Sequence, residues 1–369
     1  MSTAKYFSFF RAAAILGAAL FLLSTFTYGQ TDQNTTPNFE IRYNTNVRLP
    51  KLKSAFPRHV KVFGLFIQAT KQVPDNKLIH AADIAADFLD NDRDGKPDNP
   101  TINDELWKNR SAIVMGYNEL ELEKLHDKFR ELFDNYALQG LFATETLPSG
   151  GPHNPASPKF DASIEEILHI ITSVGYARVY PEVFGEKKGS ELTNAMDKAR
   201  GGHFRTVPGK YPSGAWYSYD DKTCDYECQA TEYIYWALTS LMNGQNFKMR
   251  EQNIRHEWKL NTPEKLRAKD KNIVNILTNK KYILPLRLPD GKYRNNRKQA
   301  SLKLNIIEAE EKLILTIALS TASAIILETS KDLLSWKTNK SIPAYTGSLN
   351  LPIKIHSEQK QFFRLQILD

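Results

Sequence analysis

The stretch "FDASIEEILHIITSVGY" (Phe160–Tyr176) sets two carboxylates and an imidazole, Glu165, Glu166 and His169, within five residues. At helical spacing Ile164, Ile167, Leu168, Ile171 and Val174 form one apolar stripe, and the three polar groups share another face. That face either meets solvent or floors a site. In the second case Glu165 and His169, four residues apart, can share a divalent cation while Glu166 moves a proton. Asp161 or Ser163 is placed to cap this helix.

A third carboxylate stands out by its surroundings. Glu232 lies in "QATEYIYWALTSLM", a helix apolar nearly all round, and such helices are buried. A buried carboxylate needs an ion-pair partner, a proton or a metal. A metal shared with Glu165 and His169 is one solution.

The loop "DNDRDGKPDN" (Asp90–Asn99) carries oxygen ligands at alternate positions: Asp90, Asp92 and Asp94, then Asp98, with Gly95 free to make the sharp turn. Hard cations such as calcium take several oxygens from a folded-back loop, and the Lys96 carbonyl would add one. The other reading is a solvated acidic turn. Predicted helices flank the loop (76–89 and 102–108), as in an EF-hand, but Thr101 stands where an EF-hand has its bidentate glutamate.

Glu165-Glu166-x-x-His169 followed by Glu232 in "ATEYIYWA" resembles the gluzincin metallopeptidases, especially the lethal-factor-like secreted group, across roughly residues 137–243. Glutamate replaces the first histidine of the H-E-x-x-H pattern. The resemblance implies a zincin-like fold with Glu165, His169 and Glu232 as ligands of zinc or another divalent metal, and Glu166 as general base. It also implies that Tyr226 stabilises an oxyanion and that the substrate is a peptide or protein. One histidine with two glutamates is a harder, more anionic set than zinc usually meets. His203, after the Gly201-Gly202 pair, is either the missing nitrogen ligand or an ordinary loop histidine.

The aromatic run "YPSGAWYSYDD" (Tyr211–Asp221) either lines a peptide or sugar cleft or packs a loop. Asp220 and Asp221 read as surface acids, and "HEW" (His256–Trp258) lacks a second histidine. Cys224 and Cys228, the only cysteines of the 369-residue chain, are expected to form a local disulfide.

Residues 1–29 have the charge and apolar pattern of a signal peptide, which predicts an exported protein, secreted, periplasmic or at the cell surface, with no span in the mature chain. A short membrane anchor is the competing reading. That segment holds Lys5, Arg11 and no acid, so the remaining chain keeps +5 of the formal +7. The basic residues form no patch interleaved with aromatics, and nucleic acid is not expected as a partner. The overall expectation is α+β. A loose segment (30–50) precedes a zincin-like mixed α/β domain (51–287), a linker (288–301) and an all-β sandwich (302–369). "ILETSKDLLSWKT" with "QFFRLQ" resembles a β-domain found at the C-termini of secreted bacterial proteins, which implies a cell-surface or matrix partner.

Overall fold

A computed structural model describes residues 5–12, 38–133, 136–293, 300–307, 312–332, 335–353 and 361–368. The remainder of the expected leader and residues 30–37 lie outside the described residues. The chain divides into two compact units, Asp32–Arg294 and a smaller one from Met1–Thr31 with Asn295–Asp369.

In the smaller unit, β1 (Lys5–Ala12) pairs antiparallel with the last strand of the chain, Gln361–Leu368. In the larger unit, β2 (Asn38–Tyr43), β3 (Arg58–Val62), β4 (Leu65–Ala69), β5 (Ala112–Gly116) and β6 (Leu138–Phe142) form one sheet in sequential order. The pairs β2–β3 and β3–β4 are antiparallel, and β4–β5–β6 run parallel. Helix α1 (Asp75–Leu89) and then α2 (Pro100–Lys108) fill the β4–β5 crossover, and α3 (Glu119–Phe133) fills the β5–β6 crossover. Such crossovers are what parallel strands require. The near-continuous apolar runs of β4 and β5 are buried throughout.

The helix of the opening stretch starts as α4 (Ser163–Ile170), passes through a π-helical turn (Ile171–Tyr176) and ends as α5 (Ala177–Val179). Its predicted stripe is in the core, with Ile164, Ile167, Leu168, Ile171 and Val174 all buried. After α6 (Pro181–Phe184) come α7 (Glu191–Arg200), α8 (Tyr226–Leu241), α9 (Arg250–Ile254), α10 (Pro263–Lys269) and α11 (Lys271–Leu277). Asp225 caps α8 by accepting from the Cys228 N–H, and the Cys224–Cys228 disulfide closes the same turn with a Cα–Cα distance of 5.3 Å.

Several expectations are revised. His59–Thr70 is a hairpin rather than one strand, because Phe63 adopts a positive φ and Gly64 packs so closely on Asn103 that a Cβ would sit 2.2 Å from its carbonyl oxygen. The segment expected to be loose contains the edge strand β2. Ala162 stands at the N-cap of α4 without a side-chain cap, while Asp161 Oδ1 accepts from the N–H of Ser163 at 3.3 Å and of Leu147 at 2.8 Å. Residues 288–293, read as linker, belong to the larger unit: Tyr293 is fully buried, and Asp290 pairs with Arg93.

The strands of the smaller unit, β7 (Ala300–Ile307), β8 (Lys312–Ser330), β9 (Lys337–Ile353) and β10 (Gln361–Leu368), join β1 in a single antiparallel sheet. A sandwich requires two sheets. Here the long β8 bonds to β7 through its first half, to β10 through its second half and to β9 on its other edge, so one ladder links all of them. No helix among the described residues is long and apolar enough to cross a membrane.

Candidate metal centre

Helices α4 and α8 pack against each other and bring the three predicted ligands together. His169 Nε2 lies 3.8 Å from Glu165 Oε1 on its own helix and 3.4 Å from Glu232 Oε1 across the helix pair. The side chains are 7%, 23% and 13% exposed, so the imidazole is enclosed and the carboxylates reach toward solvent. Donor atoms of these three groups all fall within 4.8 Å of one another. Ligands ~2 Å from a common ion are spaced on this scale, so the set fits a divalent cation in number, type and separation. One feature departs from most metal-bound histidines: the buried Nδ1 of His169 has no hydrogen-bond partner.

Electrostatics favour a cation. Burial pulls the His169 pKa down, but Glu232 and Glu165 outweigh it and the net shift is well upward. Glu166 is pushed up to about 8, first by burial and then by Glu165, while Gln139 Nε2 donates to its Oε2 at 2.6 Å. Burial also raises Glu145, helped by Glu165, and raises Glu257 to about 7, helped by Asp220, Glu232 and Glu165. Carboxylates thus outnumber imidazoles around His169, which is the condition a divalent ion relieves.

Three of these neighbours escaped the sequence reading. Burial and then Glu232 push the Tyr219 phenol up, burial and then Glu165 push Tyr235 up, and the Tyr235 ring stands edge-on to His169 at 5.4 Å. Glu257 arrives because its strand-like segment bonds to Ser218 and Tyr217 lies opposite Trp258. Signals for two of them existed in "YSYDD" and "HEW", but neither string says that the segments pair. Asp220, read as a surface acid, groups with His256 and Glu257.

His203 and Tyr226 are held elsewhere. His203 Nδ1 pairs with Asp197 Oδ2 at 3.1 Å, and the Tyr226 hydroxyl donates to the same oxygen at 3.2 Å, with the two rings edge-on at 4.8 Å. Arg200 lies over the Tyr226 ring. His203 is thus outside the converging group, as the ordinary loop histidine of the two readings, and the Tyr226 phenol is bonded to Asp197 instead of facing the three ligands. Glycine at 201 ends α7 in a left-handed conformation and turns the chain toward this cluster.

The acidic loop sits between α1 and α2. Asp90, Asp92 and Asp94 bring carboxylate oxygens within 4.8 Å of one another, and Gly95 has φ +90°, as the sharp turn demands. Asp90 Oδ2 accepts from Gly95 N at 2.6 Å and from the Tyr293 hydroxyl at 2.5 Å, Lys96 N donates to Asp94 Oδ1 at 2.8 Å, and Asp98 Oδ2 accepts from Asn91 N at 2.7 Å. Burial raises Asp90 to about 7 and Asp98 to about 6, and the neighbouring aspartates add to both shifts. No protein-family profile matches the chain, and no curated protein matches it.

Proposed function

We propose that this is an exported, calcium-stabilised hydrolase that cleaves peptide bonds with a divalent metal held by Glu165, His169 and Glu232. The observation that carries the reading is the approach of His169 Nε2 to carboxylates from two different helices, at 3.8 and 3.4 Å. A divalent ion held there supplies Lewis acidity toward a peptide carbonyl. Glu166, fixed by Gln139, takes the proton of the attacking water and returns it to the leaving amine. Tyr219 interacts with Glu232 and Tyr235 with Glu165, which would orient the two carboxylates. The hard ligand set favours manganese, iron or cobalt alongside zinc. The zincin-like and EF-hand-like assignments belong to this proposal, with calcium at Asp90, Asp92, Asp94, Asp98 and the Lys96 carbonyl.

A second reading is a calcium-stabilised secreted binding protein without catalysis, and the unpartnered Nδ1 of His169 favours it. Metal analysis of the chelated and reconstituted full chain separates the two. One equivalent of a transition metal that is lost in Glu232→Gln supports the hydrolase; a transition-metal content unchanged by Glu232→Gln supports the binding protein.

A further inference from the structure

A different cluster has the makings of a metal site and no part in the chemistry above. His80 comes from α1, His153 from the loop after β6, and Asp161 from the residue pair preceding α4. Both Nε2 atoms lie 2.7 Å from the same oxygen, Asp161 Oδ2. The other oxygen, Oδ1, accepts from the backbone N–H of Leu147 at 2.8 Å and of Ser163 at 3.3 Å, which fixes the carboxylate plane. The side chains are 6%, 7% and 0% exposed. Gly291 closes the site over His80, where a Cβ would meet ring Cε1 at 2.4 Å. Lys77, the nearby ammonium, is committed to the Thr146 carbonyl. The other charged group that senses Asp161 is a further carboxylate, Glu145.

We propose that His80, His153 and Asp161 bind a divalent transition metal of the zinc type in a structural role. Two imidazole nitrogens and one carboxylate oxygen make a ligand set that suits zinc, with donor atoms mutually within 4.8 Å. The backbone bonds to Oδ1 are the outer support that ligating carboxylates commonly have. Because the three ligands come from separate parts of the chain, the ion ties α1 and the loop around His153 to the start of α4, the helix that carries Glu165 and His169. Burial of all three side chains leaves no room for substrate chemistry.

The test uses the full chain carrying His169→Asn, which removes the nitrogen ligand of the other centre. That protein is stripped with chelator and titrated with Co(II) in excess calcium, which fills the Asp90–Asp98 loop. The expected result is one equivalent of Co(II), ligand-field bands in the visible, and two paramagnetically shifted imidazole N–H resonances. His153→Gln and, in a second variant, His80→Gln in the same background should each weaken binding by at least about tenfold. Should His80→Gln fail to fold, His153→Gln and the count of shifted resonances still decide. Absence of Co(II) uptake by a natively folded chain, or uptake indifferent to His153→Gln, overturns the proposal. So does ¹⁵N evidence that His80 or His153 remains an imidazolium in metal-replete wild-type protein, which would make the cluster a metal-free buried ion triad. None of these outcomes bears on hydrolysis at Glu166.

Discussion

Glu166 and Tyr219 are the side chains whose removal separates chemistry from structure at the proposed centre. Glu166→Gln keeps an acceptor for Gln139 and should lower hydrolysis by about 10²–10⁴-fold with metal content unchanged. Retained activity sinks the peptidase mechanism. Tyr219→Phe removes the phenol that interacts with Glu232, so metal affinity should fall roughly tenfold or more. Tyr226→Phe should leave both metal binding and rate near wild type, because that hydroxyl serves Asp197. A larger loss in Tyr226→Phe than in Tyr219→Phe in parallel titrations would reverse the assignment.

At the scale of elements, α4 and α8 do the positioning, and the start of α8 is secured twice, by the Asp225 cap and by the Cys224–Cys228 bond. Opening so short a loop in Cys224→Ser/Cys228→Ser should cost about 2 kcal/mol on chain-entropy grounds, read as a lower Tm by calorimetry. The proposed calcium loop lies between α1 and α2 and would act through them. At calcium a hundredfold above its dissociation constant the expected stabilisation is about 2.7 kcal/mol, and Asp90→Asn should abolish most of the shift. An unchanged Tm on adding calcium to chelated wild type would refute a calcium role.

For the whole molecule, the raised carboxyls set the pH response. A folded-state pKa above the unfolded value means the native chain binds more protons, so stability falls as pH rises through that window. In chelator, unfolding free energy should therefore decline from about pH 5 to pH 8, as Asp98 (about 6), Asp90 and Glu257 (each about 7) lose protons. Calcium competes with those protons, so its Tm increment should be larger at pH 8 than at pH 5.5. Denaturant melts at the two values check the sign. The unit Asp32–Arg294 contains its own core, from Val60 to Tyr293, and should fold with its candidate sites when expressed without residues 295–369.

By itself the sequence determined the groups four residues apart or fewer and those on one helical face. Glu165, Glu166 and His169, the aspartate spacing with its glycine, the cysteine pair and the buried character of α8 follow from local geometry and apolar pattern. It also pointed to Glu232, because a carboxylate in an apolar helix has few stable solutions. Only the tertiary structure decided what meets what across the chain. Tyr219 and Glu257 reach Glu232 because segments near 218 and 257 pair, and His80 reaches His153 and Asp161 from 73 and 81 residues away. Such encounters depend on which helix faces pack together. Periodicity tells which face is apolar; it leaves open which partner covers it.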